Sequence, residues 1–279
     1  MINIFVLLIL TMPFVLSACG SGATEVATTE VATTEVATEV TIEAVAREAP
    51  MLQEKVANGE LPPLDERLPE DPFVVTPVHE IGQYGGTWRQ AVTGWNAWAL
   101  WYYDIKVNEV RYTPDFTTII PVLLKDYEVS DDLKVYTFYL RHGIKWSDGD
   151  PYDADDYAFW WNDVVLNDEL MPGKPPEFMA GGELAKFEVL DQYTIRFTFS
   201  VPYALFLDQL AQPRYWGPLA LPSHYLKQFH PNYTSEDELS AVMAEKGFDT
   251  WTDLFNTMNY AGGNPDLPAL EAWKALDPD

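Results

Sequence analysis

The chain has 279 residues, with 17 Lys and Arg against 43 Asp and Glu, a formal charge of −26. So acidic a chain offers no clustered cations to a phosphate backbone, which excludes a nucleic-acid partner, and no basic face for anionic lipid. The single cysteine, Cys19, excludes an internal disulfide and a thiolate metal site, and His79, His142, His224 and His230 are too scattered to point to an imidazole one, so neither a metal nor a cofactor is expected.

Residues 2–16 form an apolar run. It is too short and broken for a bilayer span, which takes about 20 residues, and fits the apolar core of a secretory signal. The run ends in Leu16-Ser17-Ala18-Cys19-Gly20, which resembles the bacterial lipobox. The resemblance implies a signal peptide over residues 1–18 and lipid attachment at Cys19. The protein is then exported and held by lipid at the outer face of the cell membrane or in the periplasm.

Residues 25–40 repeat Glu-Val-Ala-Thr-Thr, a period that suits neither helix nor strand. The repeat is small, acidic and without aromatics, so it lacks the apolar area to offset ordering entropy. A weak helix is expected within residues 42–57, and Pro62, Pro63, Pro69, Pro72 and Pro77 extend the chain beyond it. Residues 19–80 therefore read as a lipid-anchored, disordered tether, with the folded body starting near Ile81.

A strand is expected over Thr87–Val92, after the Gly85-Gly86 turn. Asp126–Val129 and Leu133–Leu140 flank Ser130-Asp131-Asp132 and read as a hairpin, with Tyr136, Phe138 and Leu140 on one side of the second strand. Ser147-Asp148-Gly149-Asp150-Pro151 is a turn. A helix follows it, with Asp153 as N-cap, Asp156 three residues on, and Tyr157, Trp160, Trp161, Val164 and Val165 along one face. Phe187–Leu190 and Tyr193–Phe199 flank Asp191-Gln192 as a second hairpin, and helices are expected over Tyr203–Leu210, Glu236–Lys246 and Trp251–Thr257. Strands and helices interleave without a steady βαβ rhythm, so the fold class is α/β with a mixed sheet.

The run Pro121–Asp132, with Tyr136–Arg141, Ile144–Pro151 and Ala154-Asp155-Asp156, resembles the signature region of the family 5 extracellular solute-binding proteins. These are the oligopeptide, dipeptide and nickel receptors of bacterial ABC importers. Tyr84-Gly85-Gly86-Thr87, Leu190–Thr194 and Val201-Pro202-Tyr203 extend the resemblance, which runs from about Gly82 to Pro231. It implies a type II periplasmic-binding-protein fold of two lobes closing on a ligand. The first lobe's main domain would take residues 82–111 and 188–279, and the family's extra domain residues 112–187. Such receptors are roughly twice this length, so the second lobe is expected to be absent and the ligand site half present.

Asp148, Asp150, Asp153, Asp155 and Asp156 crowd one loop, but Gly149 and Phe159 stand in the wrong places for a calcium loop, and turn and cap roles explain them. Trp146 is expected to pack. No nucleophile elbow, zinc motif or phosphate loop is present in the sequence, so an enzyme is not expected. The aromatic cluster after the first strand is the site candidate: Trp95, Asn96, Trp98 and Tyr102, where flat rings would stack on a sugar or cover peptide side chains. Trp98, Trp101 and Tyr102 also have the spacing of one buried helical face, and both readings stand. The expected function is a lipid-anchored receptor that passes a small solute, foremost an oligopeptide, to an ABC permease. An oligosaccharide ligand is the alternative within that fold, and a secreted carbohydrate-active enzyme is the alternative outside it.

Overall fold

The computed structural model describes residues 48–77, 79–86, 107–212, 219–261 and 263–271. They belong to one compact unit, Ala46–Asp279. The proline-rich stretch forms two short helices, α1 (Pro50–Ala57) and α2 (Leu64–Arg67). Pro50 opens α1, where a missing amide costs no hydrogen bond. Strands β1 (Val110–Tyr112) and β2 (Ile119–Pro121) then pair as a small antiparallel ribbon.

A four-stranded sheet follows, built from β3 (Leu124–Val129), β4 (Val135–Leu140), β7 (Lys186–Asp191) and β8 (Thr194–Thr198) in the order β3-β4-β8-β7. Both expected hairpins are present. Ser130 Oγ closes the first turn by donating to Asp132 Oδ1 (2.6 Å) and accepting from the Val135 amide (2.9 Å). Asp191 Oδ1 closes the second by accepting from the Tyr193 amide (2.9 Å). Between them lie β5 (Met179–Ala180) and β6 (Glu183–Leu184), a minimal pair. Among the described residues every strand pair is antiparallel. The domain boundary expected between residues 187 and 188 falls inside β7, so segments on either side of it share one sheet.

Helix α3 (Ala154–Phe159) starts at Asp153, whose side chain accepts from the Asp155 amide (2.9 Å), and Asp156 completes a capping box. The expected face, Tyr157, Trp160, Trp161, Val164 and Val165, is buried throughout. Past Phe159 the helix widens into a π-helical turn over Trp160–Val165, where the Leu166 amide reaches back to Trp161 O (3.0 Å). This helix lies between two apolar clusters. Tyr157, Trp160, Trp161 and Val165 join the sheet's inner face, Tyr136, Phe138, Ile195 and Phe197. Phe159 and Val164 join Leu226, Phe229, Leu239, Leu254 and Phe255.

The helix expected over Tyr203–Leu210 begins later, as α4 (Phe206–Ala211). Its delay has a cause: the Tyr203 amide donates to Leu133 O (2.8 Å) and its carbonyl accepts from Tyr136 Oη (2.6 Å), so Tyr203 is tied to the sheet. The second cluster is carried by α5 (Ser223–Leu226), α6 (Glu236–Lys246) and α7 (Trp251–Met258). Ser235 and Glu238 form a capping box for α6, and Gly247 ends it at φ 77°, a left-handed step that glycine takes without strain.

The tether expected over residues 19–80 differs at its end: residues 66–73 lie against the body through hydrogen bonds to Arg141, His142 and Lys145. Composition missed this because the contacts are mostly to main-chain atoms, which any sequence supplies.

Candidate functional site

Cys19 and the expected ligand residues Trp95, Asn96, Trp98 and Tyr102 lie outside the described residues, as does the strand expected over Thr87–Val92. What the structure does describe is the anchor onto which that stretch leads. Directly after it, Asn108 Nδ2 donates to the carbonyls of Gln212 (2.8 Å) and Leu210 (3.4 Å). Glu109 is fully buried, and its Oε1 accepts from the Leu219 amide (2.6 Å). Its carbonyl accepts from the Val122 and Leu124 amides (2.9 and 3.2 Å), which fastens it to β3. Chain positions 107–109, 212 and 219 therefore meet at one place. Sequence reasoning missed both residues; the one available signal was a lone acid, Glu109, next to apolar Val107 and Val110.

Below this anchor sits a polar network built from the Ile144–Asp156 block. Asp156 is 3 % exposed. Its Oδ2 accepts from Trp146 Nε1 (2.9 Å) and its Oδ1 from the Ser223 amide (3.0 Å). One carboxylate thus joins the turn before α3, the first turn of α3 and the start of α5. Burial pushes the Asp156 carboxyl above the usual carboxylate range, and these hydrogen bonds offset only part of that. Trp146 packs as expected, against Tyr152 (5.6 Å between rings), and also donates.

The other aspartates of the loop take turn, cap and pairing roles. Asp148 Oδ1 accepts from the Asp150 amide (3.2 Å), while Asp148 Oδ2 and Asp150 Oδ2 flank the His224 ring at 2.8 and 3.1 Å. Burial works to raise the Asp148 carboxyl, but the His224 and Asp150 hydrogen bonds outweigh it and hold it low. Asp153 Oδ2 accepts from Gln192 Nε2 (3.0 Å), which docks the β7–β8 turn on α3. These are clamps between secondary elements.

A second polar centre lies in the α6–α7 cluster. His230 is fully buried, with Nε2 at 3.1 Å from Asp163 O and Nδ1 accepting from the Asn232 amide (3.2 Å). That pairing needs a proton on Nε2 and none on Nδ1. Asp163 accepts from Asn232 Nδ2 (2.9 Å) and Tyr233 Oη (2.7 Å). Burial first, then this bond, pushes the Tyr233 hydroxyl up to about 12. Trp251 lies edge-on to His230 (5.0 Å), donates to Glu169 Oε2 (2.8 Å), and walls an open groove of about 610 Å³ floored by Leu239 and Met243.

Burial holds the His230 ring below its ordinary value, against a smaller raising effect from Asp163. A lowered histidine stabilises the fold above its unfolded value of about 6.5, and that stability is lost as pH falls from there through the folded value. Melting curves between pH 7.5 and 5.5 are expected to shift downward by on the order of a few degrees. His230→Gln should flatten that slope, and an unchanged slope in the variant would assign the acid sensitivity elsewhere.

Comparison with known proteins places this geometry. A profile of bacterial extracellular solute-binding proteins, family 5 Middle, matches residues 118–262, which hold the whole four-stranded sheet and the Asp156 network. The periplasmic alpha-galactoside-binding protein of Rhizobium meliloti (strain 1021) is 35% identical over 212 residues, covering 67% of this chain and 30% of that protein. Among solved structures, an oligopeptide-binding protein OppA aligns with a TM-score of 0.74 at 43% identity, over 84% of this chain and 36% of that one. The periplasmic binding protein MelB of Agrobacterium fabrum C58, in complex with stachyose, aligns with a TM-score of 0.55 at 27% identity, over 82% of this chain and 35% of that one. The chain spans about a third of the length of each of these relatives.

Proposed function

The chain belongs to the bacterial extracellular solute-binding proteins of family 5, and we propose that it serves a receptor which captures an oligopeptide outside the cell membrane and passes it to an ABC permease. The likeness to the oligopeptide-binding protein, 43% identical with a TM-score of 0.74, carries the choice of solute. The receptor performs no chemistry; it selects by enclosing the solute, in keeping with a described body whose buried polar groups clamp elements together. Trp95 and Asn96, with Trp98 and Tyr102 beside them, supply the ligand surface of this part. The support is positional: the chain leaving that stretch is fixed at Asn108 and Glu109. Cleavage before Cys19 and lipid attachment there hold the body at the membrane. Among the described residues no helix is long and apolar enough to cross a membrane.

An oligosaccharide is the second reading. It is favoured by the alpha-galactoside-binding relative, whose match extends over 67% of this chain. Titration calorimetry with tri- to pentapeptides and with stachyose separates the two. Saturable heat from peptides, weakened at least tenfold by Trp95→Ala, is the expected result, since a central aromatic contact commonly carries more than about 1.4 kcal/mol. Heat from stachyose alone would move the assignment to sugars.

A further inference from the structure

Arg141 is 7 % exposed and sits just past the end of β4. Its Nε donates to Val122 O (2.8 Å), which holds the guanidinium against the body. Its Nη1 donates to the main-chain carbonyl of Asp71 (2.6 Å), seventy residues upstream. The Asp71 carboxylate stands farther off, at 3.5 Å, and is 65 % exposed. Phe73 lies under two guanidiniums, Arg111 at 4.8 Å and Arg141 at 5.9 Å from its ring centre. At the same turn the Glu70 amide donates to His142 O (3.1 Å), and Lys145 Nζ donates to Glu66 O (3.1 Å). Gly143 has φ 80°, and a Cβ there would stand 3.4 Å from Pro69 Cα. The turn thus meets the strap through main-chain atoms and one ring. Upstream, Arg67 pairs with the Glu48 carboxylate and donates through Nε to Pro62 O (2.9 Å), which closes α1 and α2 into one loop.

We propose that the Arg141–Lys145 turn is an internal docking site for the strap Glu66–Phe73, and that in the lipid-anchored protein this clamp, rather than the chain near residue 80, is where the membrane-held chain meets the body. The consequence for the tether rests on lipid attachment at Cys19. The Arg141 turn is then the point from which the body is held. The strap lies outside residues 118–262, which the family profile matches. The contact follows from a nearly buried arginine spending a donor on a backbone carbonyl of a proline-rich segment.

The test is trypsin digestion of the full chain in its membrane fraction, with mass spectrometry following the Arg67–Leu68 bond. In the docked strap that bond is protected. Arg141→Ala is expected to speed its cleavage at least tenfold. Phe73→Ala, which leaves the body's own contacts in place, should speed it severalfold without lowering the body's melting temperature by more than a few degrees. Asp71→Ala should change it less than threefold, because the bond is to the carbonyl. Equal cleavage rates in wild type, Arg141→Ala and Phe73→Ala would overturn the clamp. So would an Asp71→Ala effect as large as that of Arg141→Ala, since the side chain would then be the contact that matters. Failure of the anchoring reading looks different: the wild-type protein would already be in the soluble fraction before trypsin is added.

Discussion

Asp156→Ala is expected to lower folding stability by about 4 kcal/mol, because it strands two buried donors that each cost roughly 1–3 kcal/mol when left unpaired. The donors are Trp146 Nε1 and the Ser223 amide. Neither has room to turn to water: Trp146 is 4 % exposed and Ser223 7 %. Asp156 Oδ2, which accepts from Trp146, also receives the Asp153 amide at 3.4 Å, so the capping box of α3 goes with it. Asp156→Asn should fall between the variant and wild type. It keeps one acceptor but turns an amide donor toward a donor. Trp146→Phe should cost less than Asp156→Ala, since the carboxylate then keeps the Ser223 and Asp153 amides. Urea denaturation of the three variants gives the order directly. An Asp156→Ala loss under about 1 kcal/mol would mean that water replaces the carboxylate, and the clamp would then be incidental to stability.

Local chemistry made much of this fold legible from the chain alone. The two hairpins announce themselves by Ser130-Asp131-Asp132 and Asp191-Gln192, short polar turns between alternating strands, and both turns close on the side chains that mark them. Helix α3 starts where Asp153 and Asp156 predict it, and α6 takes the residues expected of it. These features depend on neighbours within a few positions. The π-helical turn over Trp160–Val165 does not. It places two tryptophans on the sheet side while Asp163 turns to Asn232 and Tyr233, about seventy residues later, and no local pattern encodes that demand. His230 is invisible in the sequence for the same reason: its burial depends on rings from Phe159, Trp251 and Phe255.

Trp95, Asn96, Trp98 and Tyr102 remain outside the described residues, so they enter as proposed contacts. The signature block divides its labour. Its acids and Trp146 clamp α3 to α5, whereas its cations and glycine, Arg141, Lys145 and Gly143, meet the strap. A motif that reads as one string in sequence therefore faces two different elements. The reason is geometric: the block reverses direction at Gly149 (φ 98°), with Lys145 bridged to Pro151, so its two halves look at different neighbours.

Phe206→Ala is expected to cost about 3–5 kcal/mol, the range for emptying a large buried aromatic site. Phe206 has no exposed surface, and six rings surround it: Tyr136 (4.9 Å), Phe199 (4.9 Å), Phe178 (5.3 Å), Phe197 (5.7 Å), Phe138 (6.0 Å) and Tyr203 (6.0 Å). Most of these meet it edge to face, a geometry that adds roughly 0.5–1.5 kcal/mol per pair beyond area alone. The neighbours are anchored on β4, β8 and the turn before β5, so they have little freedom to collapse into the void. Phe206→Leu refills part of the volume but gives up the ring pairs, and should cost less than the alanine variant while remaining clearly destabilising. Phe116, 77 % exposed, supplies the contrast within the same chain: its alanine variant should stay within about 0.5 kcal/mol of wild type. The larger consequence is for the anchor at Asn108 and Glu109. Phe206 seats α4, and α4 ends at Ala211, one residue before the Gln212 carbonyl that Asn108 holds. A loosened α4 should therefore loosen the anchor, and hydrogen exchange at the Leu219 amide, bonded to Glu109, should quicken in Phe206→Ala more than at the Val135 amide in the β3–β4 turn. Equal quickening at both would show that the variant merely lowers global stability and that the anchor does not depend on α4.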